Sequence, residues 1–266
     1  MSDFLQTMAT HSAARAAAVS PSFSSSDFDK PVVPLTLGAF DVIAEIKDRS
    51  PAEGDLSSSN SDRSARARSY AAGGAAAISV LTEPSRFDGD LSHLEEVVAA
   101  VPDTPVMRKD FLVEPVQILE ARKAGASGVL LIATMLSDVK LREMLSHAWE
   151  LGLFVLLESF DEDDLRRTSK LLEQPVDRDK AVSGQLLVGV NTRNLRTLAV
   201  DADRLKKLAP ALPDARCVAE SGLLVPDDAA RVAGWGYRMA LVGTALMRSD
   251  DPTALVAAMR DAGAAA

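Results

Sequence analysis

Six short stretches of this chain hold acids, bases and anion-binding groups of the kind an active site requires. In Ile43-Ala44-Glu45-Ile46-Lys47 the two charged residues stand two apart, and the two-residue side-chain period of a strand sets both on one face. Such a pair is either a structural ion pair or a working acid and base. Buried charges cost several kcal/mol unless paired, and perturbed pairs concentrate in sites. Lys109, in Met107-Arg108-Lys109-Asp110-Phe111, is a second candidate acid. Desolvation and neighbouring cations are expected to lower its pKa, so that it donates a proton near neutral pH. Glu158 closes the apolar run Leu156-Leu157-Glu158 and suits proton transfer or pairing with a lysine. Asn191 can orient a substrate hydroxyl or carboxylate, and Arg193 can add charge beside an anion. Glu220-Ser221-Gly222 and Gly243-Thr244 combine small residues that let backbone N–H groups approach a phosphate closely.

These residues share one placement: each lies at the carboxyl end of a short apolar run. The runs are 42–46, 76–81, 105–108, 128–132, 154–158, 186–190, 216–219 and 239–242, and stretches of helical spacing follow them. Continuous Val/Ile/Leu character without polar alternation predicts parallel strands covered by helices. Eight similar units favour an α/β fold of the closed (β/α)8 TIM-barrel type over an open doubly wound sheet. No Gly-x-Gly-x-x-Gly turn follows the first run, which also speaks against the open sheet. In a barrel the strands' carboxyl ends build the active site, and the loops after strands seven and eight form a recurrent phosphate site. Helices are predicted at 116–124, ending at Gly125, and from Pro226 to Gly234 or Gly236. Residues 1–40 read as a short N-terminal extension with a helix over 4–19 and a Ser-, Pro- and Asp-rich connection; residues 41–266 read as the catalytic barrel.

Composition narrows the function. The 266 residues carry 38 acidic and 29 basic side chains, a formal net charge of -9, so nucleic acid and anionic membrane are not expected partners. An anionic substrate then needs a local cationic pocket. One cysteine, Cys217, and three scattered histidines, His11, His93 and His147, offer no zinc-like spacing. The start Met1-Ser2-Asp3 lacks a basic flank and apolar stretch, and the longest apolar run, near 129–136, is too short for a bilayer. The expectation is a cytoplasmic enzyme, monomeric by default, acting on a phosphorylated small molecule without metal or organic cofactor.

The chain resembles the indole-3-glycerol phosphate synthases of tryptophan biosynthesis. The resemblance rests on Ile43-Ala44-Glu45-Ile46-Lys47 with Ser50-Pro51, on Ile78-Ser79-Val80-Leu81-Thr82-Glu83, and on Pro105-Val106-Met107-Arg108-Lys109-Asp110-Phe111. It continues through Val155-Leu156-Leu157-Glu158, Gly189-Val190-Asn191-Thr192-Arg193-Asn194-Leu195, Glu220-Ser221-Gly222 and Val242-Gly243-Thr244-Ala245-Leu246-Met247. It implies decarboxylative ring closure of 1-(2-carboxyphenylamino)-1-deoxyribulose 5-phosphate, followed by dehydration. Carried over, Lys109 is the general acid of ring closure. Glu158 is the acid/base partner of dehydration, supported by Glu45 and Asn191. Lys47 pairs with the substrate anion and shares acid duty. Ser50 joins the substrate contacts, and the amides around Ser221, Gly222, Gly243 and Thr244 take the phosphate. Phe111 and Leu195 supply apolar contact to the aromatic ring, while Arg193 and Glu220 hold the polar end. The first loop departs from the usual pattern at Ala52 and Glu53, and Ser159-Phe160 lacks a histidine common in that place.

Other readings stay open on the residues alone. A phosphosugar isomerase would favour an acid/base pair without the strand-three lysine, and an aldolase would use a Schiff-base lysine. A non-catalytic paralogue that binds a phosphorylated ligand would not need Glu45, Lys47, Lys109 and Glu158 together.

Overall fold

Each apolar run becomes a strand because its backbone can pair on both sides while its branched side chains are buried on both faces. The computed structural model describes residues 3–20, 22–50, 54–56, 62–193, 201 and 203–266. Among them lie β1 (Asp41–Ile46), β2 (Ala77–Leu81), β3 (Val106–Lys109), β4 (Gly128–Ile132), β5 (Phe154–Ser159), β6 (Leu186–Asn191), β7 (Arg216–Glu220) and β8 (Met239–Val242). All eight are parallel, and β1 pairs with both β2 and β8, which closes the (β/α)8 barrel foreseen from the sequence. Ile43, Ile78, Met107 and Leu131 are fully buried, each contributing about 1.5–3 kcal/mol through burial.

Several strands run one residue further than the apolar runs do, and the extra residue is polar. Lys109, Asn191 and Glu220 are each the last residue of a strand: Lys109 pairs in register with Leu81, and Asn191 with Glu220. Ladder hydrogen bonds therefore fix the backbones of these candidate site residues. The helix Val116–Ala124 ends where the sequence placed its stop, with Gly125 at φ 99°. That left-handed backbone is open to glycine at little cost.

Residues 3–20 and 22–40 lie along the barrel from one end to the other. The helix Asp3–Ala18, close to its expected bounds, buries Leu5 and Met8 in the common core above the carboxyl ends of the strands. Its Ser12 hydroxyl accepts from Gln117 Nε2 at 2.9 Å. The connection then descends the outside: Lys30 Nζ donates to Ala124 O (3.1 Å), and Val33 N to Ser127 Oγ (3.0 Å) just before β4 begins. Asp41 opens β1 at the far end, where its Oδ2 meets Arg216 Nη1 at 3.2 Å. Among the described residues no helix is long and apolar enough to cross a membrane.

Candidate active site

Glu45 is the hub of the site. The alternation along β1 turns it inward with Lys47, whose Nζ lies 2.8 Å from Glu45 Oε1, and Lys109 Nζ comes in from β3 to 3.5 Å from Oε2. One carboxylate thus joins two ammonium groups from different strands. Burial alone would raise the Glu45 pKa, but Lys47 and then Lys109 overcome it and bring it down to about 2. Gly243, at the end of β8, makes room for this pair: a Cβ there would strike Glu45 Oε1 and come within 2.8 Å of Lys47 Nζ.

The expected lowering of the Lys109 pKa is overturned. Burial does push it down, but Glu45, Glu158 and Glu220 together push it above the ordinary lysine value. The nearby cation, Lys47, is neutralised by Glu45, so carboxylates dominate the field at Lys109. Lys109 is consequently held as an ammonium group at every physiological pH.

Glu158 and Glu220 face each other across β6. Both are almost completely buried, at 2% and 1% exposure. Burial in the first place, and then Glu158, raise the Glu220 pKa well above the carboxylate range, with Lys109 acting in opposition. Asn191 stands beside them. Its Oδ1 accepts from Ser221 Oγ (2.9 Å) and from the Arg193 backbone N–H (3.0 Å), so donation is the function left to its amide nitrogen.

The loop after β7 has an unusual backbone. Ser221 and Gly222 adopt φ values of 70° and 81° in succession, and Ser221 is one of two non-glycine residues in the left-handed region among those described. A non-glycine residue there costs on the order of 1 kcal/mol or more and is retained where surrounding structure demands it. Thr192 Oγ1 braces the turn, donating to Glu220 O (3.2 Å) and Ser221 O (3.3 Å). Thr244 follows Gly243 at the neighbouring mouth and is half-buried.

Most of the foreseen residues therefore meet at one rim, with distinctions. Phe111 is buried in an aromatic cluster, edge-on to Phe4 at 5.9 Å and tilted against Phe87 at 6.1 Å, so its ring is shared with the N-terminal helix. Ser50 pairs through its backbone with Gly54 in a two-residue ribbon. Leu195, Ala52 and Glu53 lie outside the described residues.

One supporting network escaped the sequence reading. Arg108 and Asp110 take the face of β3 opposite to Lys109, toward the helices, and both are buried. Asp110 accepts from Arg108 Nη2 (3.2 Å), Thr82 Oγ1 (3.0 Å) and, from the N-terminal helix, Arg15 Nη2 (2.6 Å). Arg15 Nη1 also lies 3.5 Å from Glu83, which caps the one-turn helix Pro84–Phe87. One side chain thus clasps the loops after β2 and β3, and the second of these loops follows directly on Lys109. The available signal was the period of two around Lys109, which sends its charged neighbours into the apolar outer layer. Arg15→Ala is expected to cost about 1–3 kcal/mol, because buried Asp110 loses a charged donor. That is several degrees in Tm by thermal denaturation; an unchanged midpoint would show the clasp to be idle.

Comparison with known proteins shows the family of the chain. The family model described as indole-3-glycerol phosphate synthase matches residues 11–259. An indole-3-glycerol phosphate synthase of a Nocardioides species is 51% identical over 219 residues, covering 82% of this chain and 79% of that protein. The synthase of Mycobacterium leprae is 43% identical over 223 residues, covering 84% of this chain and 77% of its own. Among solved structures, 3-hexulose-6-phosphate synthase from Salmonella typhimurium superposes with a TM-score of 0.62 at 16% identity, over 84% of this chain and 98% of that one. Thiamine phosphate pyrophosphorylase from Pyrococcus furiosus does so with a TM-score of 0.56 at 14% identity, over 85% and 96%. These two share the fold alone. With a match that spans nearly the whole barrel and a rim carrying paired lysines and glutamates, the chain belongs to the indole-3-glycerol phosphate synthase family.

Proposed function

We propose that this chain closes the indole ring of 1-(2-carboxyphenylamino)-1-deoxyribulose 5-phosphate, releasing carbon dioxide and water, with Lys109 and Glu158 as its proton-transfer residues. The observation that carries this reading is the double pairing of Glu45 with Lys47 and Lys109 at 2.8 and 3.5 Å. It supports a charged, proton-bearing Lys109 at the mouth of the barrel. As the ring carbon attacks the ketone, the carbonyl π electrons move onto oxygen, which becomes alkoxide-like and strongly basic. An ammonium with a raised pKa protonates such an oxygen readily, while it would be a poor donor to a weaker base. Loss of carbon dioxide then returns its electron pair to the ring. In the dehydration Glu158 protonates the departing hydroxyl, and the ring C–H bond supplies the electrons of the new double bond. Because a carboxylate leaves as a neutral gas, one proton is drawn from solvent per turnover, and it reloads Lys109.

Lys47 and Arg193 supply positive charge to the substrate's anionic groups, and Asn191 donates to a substrate oxygen. The left-handed turn at Ser221 and Gly222, together with Gly243 and Thr244, presents backbone N–H groups to the phosphate. Phe111 and Leu195 are assigned to the aromatic end of the substrate, Ser50 to the substrate contacts and Glu220 to the polar end. Residues 1–40 serve as an extension to a catalytic barrel of residues 41–266, in a monomeric cytoplasmic enzyme. An aldolase reading is weaker, because a Schiff-base lysine must be a neutral amine and the surroundings of Lys109 work against that. Incubating the protein with the carboxyphenylamino-deoxyribulose phosphate is expected to give a rise in indole fluorescence. A flat trace, with substrate unconsumed, would end this reading.

A further inference from the structure

We infer that Glu158 and Glu220 work as one unit, two carboxyl groups sharing a single proton across β6, where Gly189 leaves room for the Glu220 carboxyl. Glu220 then acts through Glu158, as a positioning residue and as the resting holder of the proton that dehydration requires. The inference rests on the proposed role of Glu158 and deepens it.

Three observations meet here. First, Glu158 Oε2 and both Glu220 oxygens are buried with no hydrogen-bond donor from the protein. The two carboxyls nevertheless lie within hydrogen-bonding reach of each other. Carboxylates only accept, so that approach becomes a bond when one of them carries a proton, and two bare charges so placed in a dry site would repel. Second, Gly189 is the residue of β6 in register with Glu158, and a Cβ on it would strike Glu220 Oε1 and press on Leu156 Cδ1 at 3.2 Å. Any larger residue would fill the space that the Glu220 carboxyl occupies over β6, at the register position beside Glu158. Third, the charges balance. The groups facing the pair are Lys109 from β3 and, from β1, Glu45 with Lys47 at its back; Asp164, in the helix after β5, also lies in the field of Glu158. Counting Lys47, Lys109, Glu45 and the pair, one ionised carboxyl in the pair brings the sum to zero, and a second would add an uncompensated buried charge beside Asp164.

The shared proton fits the chemistry of the dehydration. Glu158 passes it to the hydroxyl oxygen as the C–O bond breaks and the electron pair departs with water. The proton freed from the ring C–H bond returns to the pair, which ends the step as it began, and no further reactant is required.

Infrared spectroscopy of the whole, substrate-free protein tests the sharing directly, so its outcome is separate from that of the fluorescence assay. At mildly alkaline pH the wild type is expected to show one protonated-carboxyl C=O band, shifted by 13C-glutamate labelling. The band should vanish in Glu220→Gln and also in Glu158→Gln. A band that survives Glu158→Gln would mean that Glu220 is protonated by burial alone, and no band in the wild type would mean that no proton is shared; either overturns the proposal. The labelled wild-type spectrum decides the matter even where a variant folds poorly. In Glu220→Gln, kcat is expected to fall by about 10²-fold with KM moved only slightly and the alkaline limb of the kcat profile displaced, since one proton-transfer group contributes on that scale. Unchanged kcat and profile would again overturn it.

Discussion

Lys109→Ala is expected to fold normally and to lose turnover by on the order of 10³-fold, within the range that one positioned acid supplies. The fold survives because Glu45 keeps Lys47 at 2.8 Å, so that no carboxylate of β1 is left unpaired. Chemistry does not survive, because no other ammonium group approaches from β3, and Lys47 is held against the opposite oxygen of Glu45. The loss should appear in kcat, with binding of a non-reacting substrate analogue nearly unchanged. A quenched single turnover gives the sharper reading: neither carbon dioxide nor indole fluorescence should develop, since ring closure precedes both. Full release of carbon dioxide by this variant would remove Lys109 from the first step.

Glu158→Gln should be as slow overall but should stop in a different place. Glutamine matches glutamate in size and can donate its amide to Glu220, so the rim stays filled. It has no proton to transfer at neutral pH. Turnover to indole product is expected to fall by about 10³-fold. In the same quenched experiment, carbon dioxide should be released in a burst while fluorescence lags, because ring closure belongs to Lys109 and only dehydration to Glu158. Simultaneous loss of both signals would place Glu158 in ring closure as well, and retained turnover in both variants would refute the pair of assignments.

The sequence revealed the barrel well because its signal is local. Eight continuous apolar runs mark strands buried on both faces, and the polar residues that end or follow several of them mark the rim. What it could not disclose depends on which strands are neighbours around a closed circle. The Lys109 pKa has the opposite sign to the sequence expectation because its field is set by carboxylates from β1, β5 and β7, all distant in the chain. Gly189 reads as an ordinary strand residue until Glu220 is seen to occupy the space above it. The helix at the start of the chain was legible to within a residue or so, yet its docking place was not, because Arg15 finds its partners at Glu83 and Asp110.

That docking place has a consequence for how the molecule is made. On the ribosome the helix bearing Arg15 emerges ahead of Asp110 and Gln117, which receive it and follow some hundred residues later. Synthesis proceeds at about 5–20 residues per second, so this segment spends at least several seconds outside the tunnel with Leu5 and Met8 bare to water or to a chaperone. The helix bearing Arg15 must wait for the third strand before it can take its seat.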